Sequence, residues 1–244
     1  MTDKPGGHLC MKSSNFFLVT LMLFVITAIA SSGCTGTPRP ADGIVAEYTS
    51  HVNEINDYSM EAVQTFSSGI SQNLEIHYKR PYQYLINYQT VPSGRTWTVA
   101  VQNLTYTRFE AESHTADILA VHNPETCFPP IADPNRLAFP VLFSGEYVLS
   151  DVGNEAVNGR DAYHIDALAF GPANYFGEGS NGTVDIWIDH ESWLVTKIKA
   201  SDSEGNLKYS CEVGNFTINT GISDRKFTVT YPEGTKIVHP NQFC

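Results

Sequence analysis

Asp189, His190 and Glu191 are consecutive in "IDHES", and a histidine between two carboxylates has the residue types of a general acid-base pair or a metal site. Successive residues of a strand point to opposite faces, however, and this stretch reads as a hairpin turn, so the three groups do not converge. His51 and His77 are isolated. His164 alternates with Ala162 and Asp166 and reads as a strand residue with its own hydrogen-bond partner rather than as a ligand. Nucleophile elbow, H-E-x-x-H, P-loop and dinucleotide-binding patterns are all missing. Cys127, Cys211 and Cys244 form no C-x-x-C and no His/Cys set at zinc spacing, so neither a metal nor a cofactor is expected. Cys211 alternates with Leu207, Tyr209 and Val213, which suits either a buried thiol or one half of a disulfide; spacing does not choose among three cysteines. Some carboxylate pair is always available in an acidic chain, but a glycosidase pair is defined by its separation across a cleft. No enzyme is therefore expected, and a hydrolase would need two or more of Asp185, Asp189, His190 and Glu191 in one cleft.

The stronger signal is apolar. Tyr82, Tyr84, Ile86 and Tyr88 form an aromatic stripe of one parity, and Trp97 repeats it in the next strand-like stretch. Such a stripe either fills a core or lines an apolar cavity under a helical lid, the usual design of a lipid or small-molecule site.

The elements that would position this stripe follow a leader. Phe16 to Ala30 is apolar except at Thr20 and Thr27, and it is preceded by Lys12 and followed by Ser31, Ser32 and Gly33. A bilayer core of about 30 Å needs roughly 20 apolar residues to span, so residues 1–33 read as a signal peptide, with Met11 the more orthodox start. Cys34 after Ser-Ser-Gly resembles a lipobox, although Ser31 stands where Leu is usual. Lipidation at Cys34, plain signal cleavage and an uncleaved anchor helix all place the rest of the chain outside the cytoplasm, and lipidation is the preferred reading. Residues 34–42, "CTGTPRPAD", then form a tether, and 43–244 a domain held on the extracytoplasmic face of a membrane. Without Lys4, Lys12 and Asp3 the chain has 13 basic and 25 acidic residues, a formal charge of −12. Nucleic acid is not an expected partner of such a surface. Asn103, Asn181 and Asn215 begin glycosylation triplets, which bear on the chain only where they are exposed to the machinery.

Within the domain, Ile44, Tyr48, Val52 and Ile55 share one helical face, predicting a helix over 43–57 with Asp42 as its N-cap. The period then becomes two in "LEIHYKRPYQYLINYQT" and "RTWTVAVQNLTYTRFE", with Pro81 at a bend or edge. From Glu112 to Glu146 five prolines imply a long connection with short helical turns. Alternation returns in "GRDAYHIDALAF", "GTVDIWIDHES", "WLVTKIKASD", "GNLKYSCEVGNF" and "RKFTVTYPEG", and the turn signals "DHES", "DSEGN" and "NTGISD" between the last four predict an antiparallel meander.

This order of elements resembles the LolA/LolB-like lipoprotein carriers over about residues 43–238: "INDYS", "YKRP", "VNGRDAYHI", and the C-terminal run from "VDIWIDHES" to "YPEG". The likeness is most specific at Trp187, Ile188 and Asp189 and at Phe227, Pro232 and Gly234. It implies a mainly β (α+β) fold, a half-open antiparallel β-barrel or curved sheet covered by an N-terminal helix and a helical or loop lid. In that family the concave cavity takes up acyl chains of lipoproteins without covalent chemistry; a buried chain gains on the order of 0.8 kcal/mol per methylene. The resemblance assigns Arg80, in Lys79-Arg80-Pro81, the role of hydrogen-bonding the lid and controlling its opening. The shuttle member of the family is soluble and the acceptor membrane-bound, as Cys34 suggests here, and related domains sense envelope stress. The expectation is a carrier, acceptor or sensor of lipid; the alternative is an envelope interaction domain, with a protein partner and a core filled by its own side chains.

Overall fold

A computed structural model describes residues 40–120, 133–169 and 182–239. The leader, Cys34, Cys127, Asn181 and Cys244 lie outside the described residues. Among the described residues two α-helices and twelve strands are defined. Helix α1 is Ala41–Val52; strands β1 to β6 are Asp57–Phe66, Ser71–Lys79, Gln83–Val91, Thr96–Gln102, Thr105–Glu110 and Thr115–Ala120; helix α2 is Pro134–Phe143; and strands β7 to β12 are Tyr147–Val157, Arg160–Ala169, Thr183–Asp189, Val195–Ser201, Leu207–Ile218 and Lys236–Val238.

All twelve strands belong to one curved, open sheet in the order β12-β6-β5-β4-β3-β2-β1-β11-β10-β9-β8-β7. Every pairing is antiparallel except β12 on β6. Edges remain at β7 and β12, so the half-open sheet expected from the sequence is the architecture found. On β7 the register shifts between Asp151 and Gly153, a bulge that Gly153 accommodates at φ +123°.

One face of the sheet carries the main core. Ile76, Ile86, Val99, Val101, Ile165, Ile186, Ile188 and Ile198 are buried there together with Ile44 and Tyr48 of α1 and Leu137, Ala138 and Val141 of α2. Both helices thus lie on the concave face. The opposite face is partly covered as well: the segment after β11 crosses it, and Phe227, 1% exposed, packs on Leu85 and Ala100.

Several boundaries differ from the sequence reading. Helix α1 ends at Val52, and its N-cap is Pro40, with Asp42 in the first turn. Pro40 gives up no needed N–H at that position. "RKFTVTYPEG" is no strand: Asp224–Phe227 is a 3-10 turn capped by Ser223, and the chain then reaches β12 through a turn at Glu233 and Gly234. Strands β1, β6 and β7 were not legible, and β6 and α2 both fall within the stretch read as a connection.

Candidate functional site

The stripe residues of β3 lie at the centre of the concave face. Tyr84, Ile86 and Tyr88 are buried and face Val101, Val99 and Trp97 across β4, and Tyr78, Ile76 and Leu74 across β2. Tyr88 stacks on Trp97 with ring centroids 5.1 Å apart. Tyr58, Tyr78 and Tyr84 form a second aromatic row at 4.9 and 4.8 Å. Tyr82 departs from the expected stripe, because the chain turns before Gln83 and leaves it outside the strand. Ile44 and Tyr48 of α1 and Leu137, Ala138 and Val141 of α2 belong to the same buried cluster as these stripe residues.

Helix α2 is fastened at its first turn. Asp133, fully buried, is the N-cap: its Oδ1 accepts the backbone N–H of Asn135 at 3.0 Å, and its Oδ2 accepts the hydroxyl of Tyr58. Asn135 Oδ1 in turn accepts the backbone N–H of Val195 on β10 at 2.8 Å. Burial raises the Asp133 carboxyl, opposed by the hydrogen bonds from Tyr58 and Asn135. The phenols of Tyr48, Tyr58 and Tyr84 are raised too, first by burial and then by the nearby Asp133 charge. The Arg136 guanidinium lies 5.9 Å from the Tyr84 ring centre. Of these groups sequence reasoning missed Tyr58, Asp133, Asn135 and Arg136; "ADPN", with an acidic N-cap before proline, was the available signal.

Arg80 holds the other helix. Its Nε donates to Ile55 O at 2.6 Å and its Nη2 to Val52 O at 2.8 Å, so it satisfies carbonyls at the exit of α1. Among the described residues its hydrogen bonds reach α1 and the loop after it, while α2 is tied by Asp133 and Asn135.

The polar candidates do not gather. Asp189 is 1% exposed, accepts Arg160 Nε at 2.7 Å and Nη2 at 3.0 Å, and takes the Ser192 N–H and hydroxyl, which builds the hairpin turn. His190 lies beside Tyr163, and Glu191 is reached by Arg160 at 3.3 Å. Asp185 instead bonds His164 at 2.9 Å on the outer face, where Glu155 holds the other ring nitrogen at 3.0 Å and Trp187 stacks at 4.3 Å. His77 is likewise satisfied, by Ser59 and Glu75. No group of three or more His, Cys, Asp or Glu able to hold a metal occurs among the described residues. Cys211 is a free thiol buried in the concave core. Asn103 occupies an exposed turn at φ 51°, and Asn215 is exposed on β11. A groove of about 710 Å³ crosses the outer face between the Glu61-Glu75-Asn87 and Val63-Asn73-Gln89 rows.

Comparison with known proteins bears on this architecture. A family model described as "Predicted periplasmic protein (DUF2092)" matches residues 142–239. No curated protein matches the chain in sequence. Among solved structures, an uncharacterized conserved protein from Thermus thermophilus is similar at TM-score 0.56 and 9% identity, covering 80% of this chain and 98% of its own. MucB is similar at TM-score 0.51 and 10% identity, covering 79% of this chain and 65% of its own; a Pseudomonas aeruginosa MucA/MucB complex is also known. The lipoprotein LppX of Mycobacterium tuberculosis matches at TM-score 0.47 and 12% identity, over 75% of this chain and 98% of its own. The likeness to the first two of these structures is one of fold alone.

Proposed function

We propose that the chain is an extracytoplasmic, membrane-anchored module that takes lipid or lipoprotein acyl chains against the concave face of its sheet, without catalysis. One observation carries this reading: the apolar concave face is closed by two helices rather than by a second sheet. Helix α2 is fastened near its start by Asp133 and Asn135. Displacing α2 would uncover Tyr58, Tyr84 and the part of β10 on which it packs, a surface suited to an acyl chain. The periplasmic description of the matching family model supports an extracytoplasmic setting, and the leader with Cys34 supports anchoring.

A second reading is favoured by the same packing. Since the concave side is filled by the protein's own side chains, the domain could serve as a protein-interaction module, and the likeness to MucB, known in complex with MucA, supports that alternative. The two separate in a dye-displacement titration on detergent-free protein carrying Cys34→Ser. Saturable binding of an apolar dye, competed by fatty acyl ligands, supports the lipid reading. A protein that takes up neither dye nor acyl ligand is an interaction domain.

A further inference from the structure

The outer side of α2 is aromatic and bare. Phe139 is 57% exposed and Phe143 38%, their ring centroids lie 4.7 Å apart, and the four-residue spacing puts them on one helical face. Phe143 also stacks on Tyr48 of α1 at 6.3 Å, so this patch is joined to the first helix of the domain. That helix begins at Ala41, a short tether away from Cys34. Fully extended, the seven steps from Cys34 to Ala41 reach at most about 25 Å, whereas a domain of this size measures roughly 40 Å across. A lipid on Cys34 would hold the start of α1 within about 25 Å of the bilayer. Tyr48 lies only about 10 Å along α1 from Ala41, and it brings Phe143 and Phe139 to the same side.

We infer that the Phe139/Phe143 face of α2 rests in the interfacial zone of the bilayer that holds Cys34. Aromatic rings on one helical face partition into that zone. Exposed Asp42 and Glu47 on α1, together with the acidic surface, select a zwitterionic headgroup layer over an anionic one. The inference rests on the anchoring reading above. It places the membrane directly against the helix that covers the concave face, on the side from which an acyl chain would arrive.

The test uses the full chain, expressed in a host that processes lipoproteins, with the state of Cys34 read by mass spectrometry. The protein is reconstituted into vesicles of phosphatidylcholine brominated in the acyl chains. Phe139→Trp adds a reporter to native Trp97, Trp187 and Trp193, and Val63→Trp, on the outer face of the sheet, serves as control. The expected result is a blue-shifted added emission at position 139 that drops about twofold or more in brominated vesicles, with the emission at 63 unchanged. Absent quenching at 139 on a chain lipidated at Cys34, or equal quenching at both positions, overturns the inference alone. An unmodified Cys34 overturns the anchoring reading and the inference with it.

Discussion

The hydroxyl of Tyr58 on β1 donates to Oδ2 of Asp133, whose other oxygen caps α2 through the Asn135 N–H. One buried carboxylate therefore joins the floor of the concave face to the helix above it. Asp133→Ala removes the cap and takes the acceptor from three donors in a buried site, the Tyr58 hydroxyl and the backbone and side-chain N–H groups of Asn135. A loss of about 2–4 kcal/mol is expected in urea titrations. Asp133→Asn keeps an acceptor for the Asn135 N–H and is expected within about 1 kcal/mol of wild type. Equal behaviour of both variants would show that the cap does not fasten the helix.

The same carboxyl sets a pH dependence. Burial, outweighing the Tyr58 and Asn135 hydrogen bonds, raises it above its ordinary 3.8. The folded state then binds this proton more tightly than the unfolded chain does, so the group's contribution is most favourable at low pH and diminishes as pH rises through the raised value. Relative to Asp133→Asn, wild type should lose ground as pH increases above about 4. Denaturation midpoints of the two proteins across a pH series measure this difference; a gap independent of pH refutes it.

Arg80 ties the end of β2 to the exit of α1 through Val52 O and Ile55 O. Arg80→Leu leaves both carbonyls without that donor, and the expected outcome is a loss of about 1–2 kcal/mol with faster amide exchange confined to α1. Faster exchange in α2 with α1 unchanged would instead support the latch role that the resemblance assigns to this arginine.

The meander from β9 to β11 was legible because its apolar parity is unbroken: Val184, Ile186 and Ile188 face the core, and tight turns follow at Asp189 and Asp202. Strand β1 was not, since its inward row Tyr58, Met60, Ala62 ends in Gln64, a buried amide bonded to Gln72 and Tyr209. Hydrogen bonding makes a polar residue acceptable where the pattern demands an apolar one. The alternation of "KFTVTY" misled for a different reason: Phe227 and Val229 pack on the outer face of the sheet without joining a ladder there. Leu85, apolar on the parity opposite to Tyr84 and Ile86, was the trace of that second covered face. The stripe itself was readable from periodicity. Asp133 was not, because its role depends on a partner 75 residues away.

His164 gives a pH dependence of opposite origin on the outer face. Burial lowers its pKa, but the hydrogen bonds its ring donates to Asp185 and Glu155 prevail and raise it above 6.5. Its contribution is therefore fully present below 6.5 and is lost as pH rises through the folded value. His164→Gln should flatten the fall in stability on the alkaline side of neutrality while lowering stability near pH 6. An unchanged pH profile in the variant would show that the His164 cluster does not contribute.

Cys211 reports on whether the concave face opens. Its thiol is buried, and burial pushes its pKa up to about 12, with the Tyr209 hydrogen bond opposing. Both the thiolate fraction and access are low, so alkylation is expected only through opening of the structure. In the native protein the Cys211 peptide should remain unmodified by iodoacetamide over times short against unfolding, then label fully in denaturant. If acyl ligands enter after displacement of α2 alone, labelling at Cys211 should outpace global unfolding and fall again on ligand saturation, because the occupant covers the face that α2 left. Labelling that tracks global unfolding in every condition would mean that this core opens only when the domain unfolds, and would favour the interaction-domain reading.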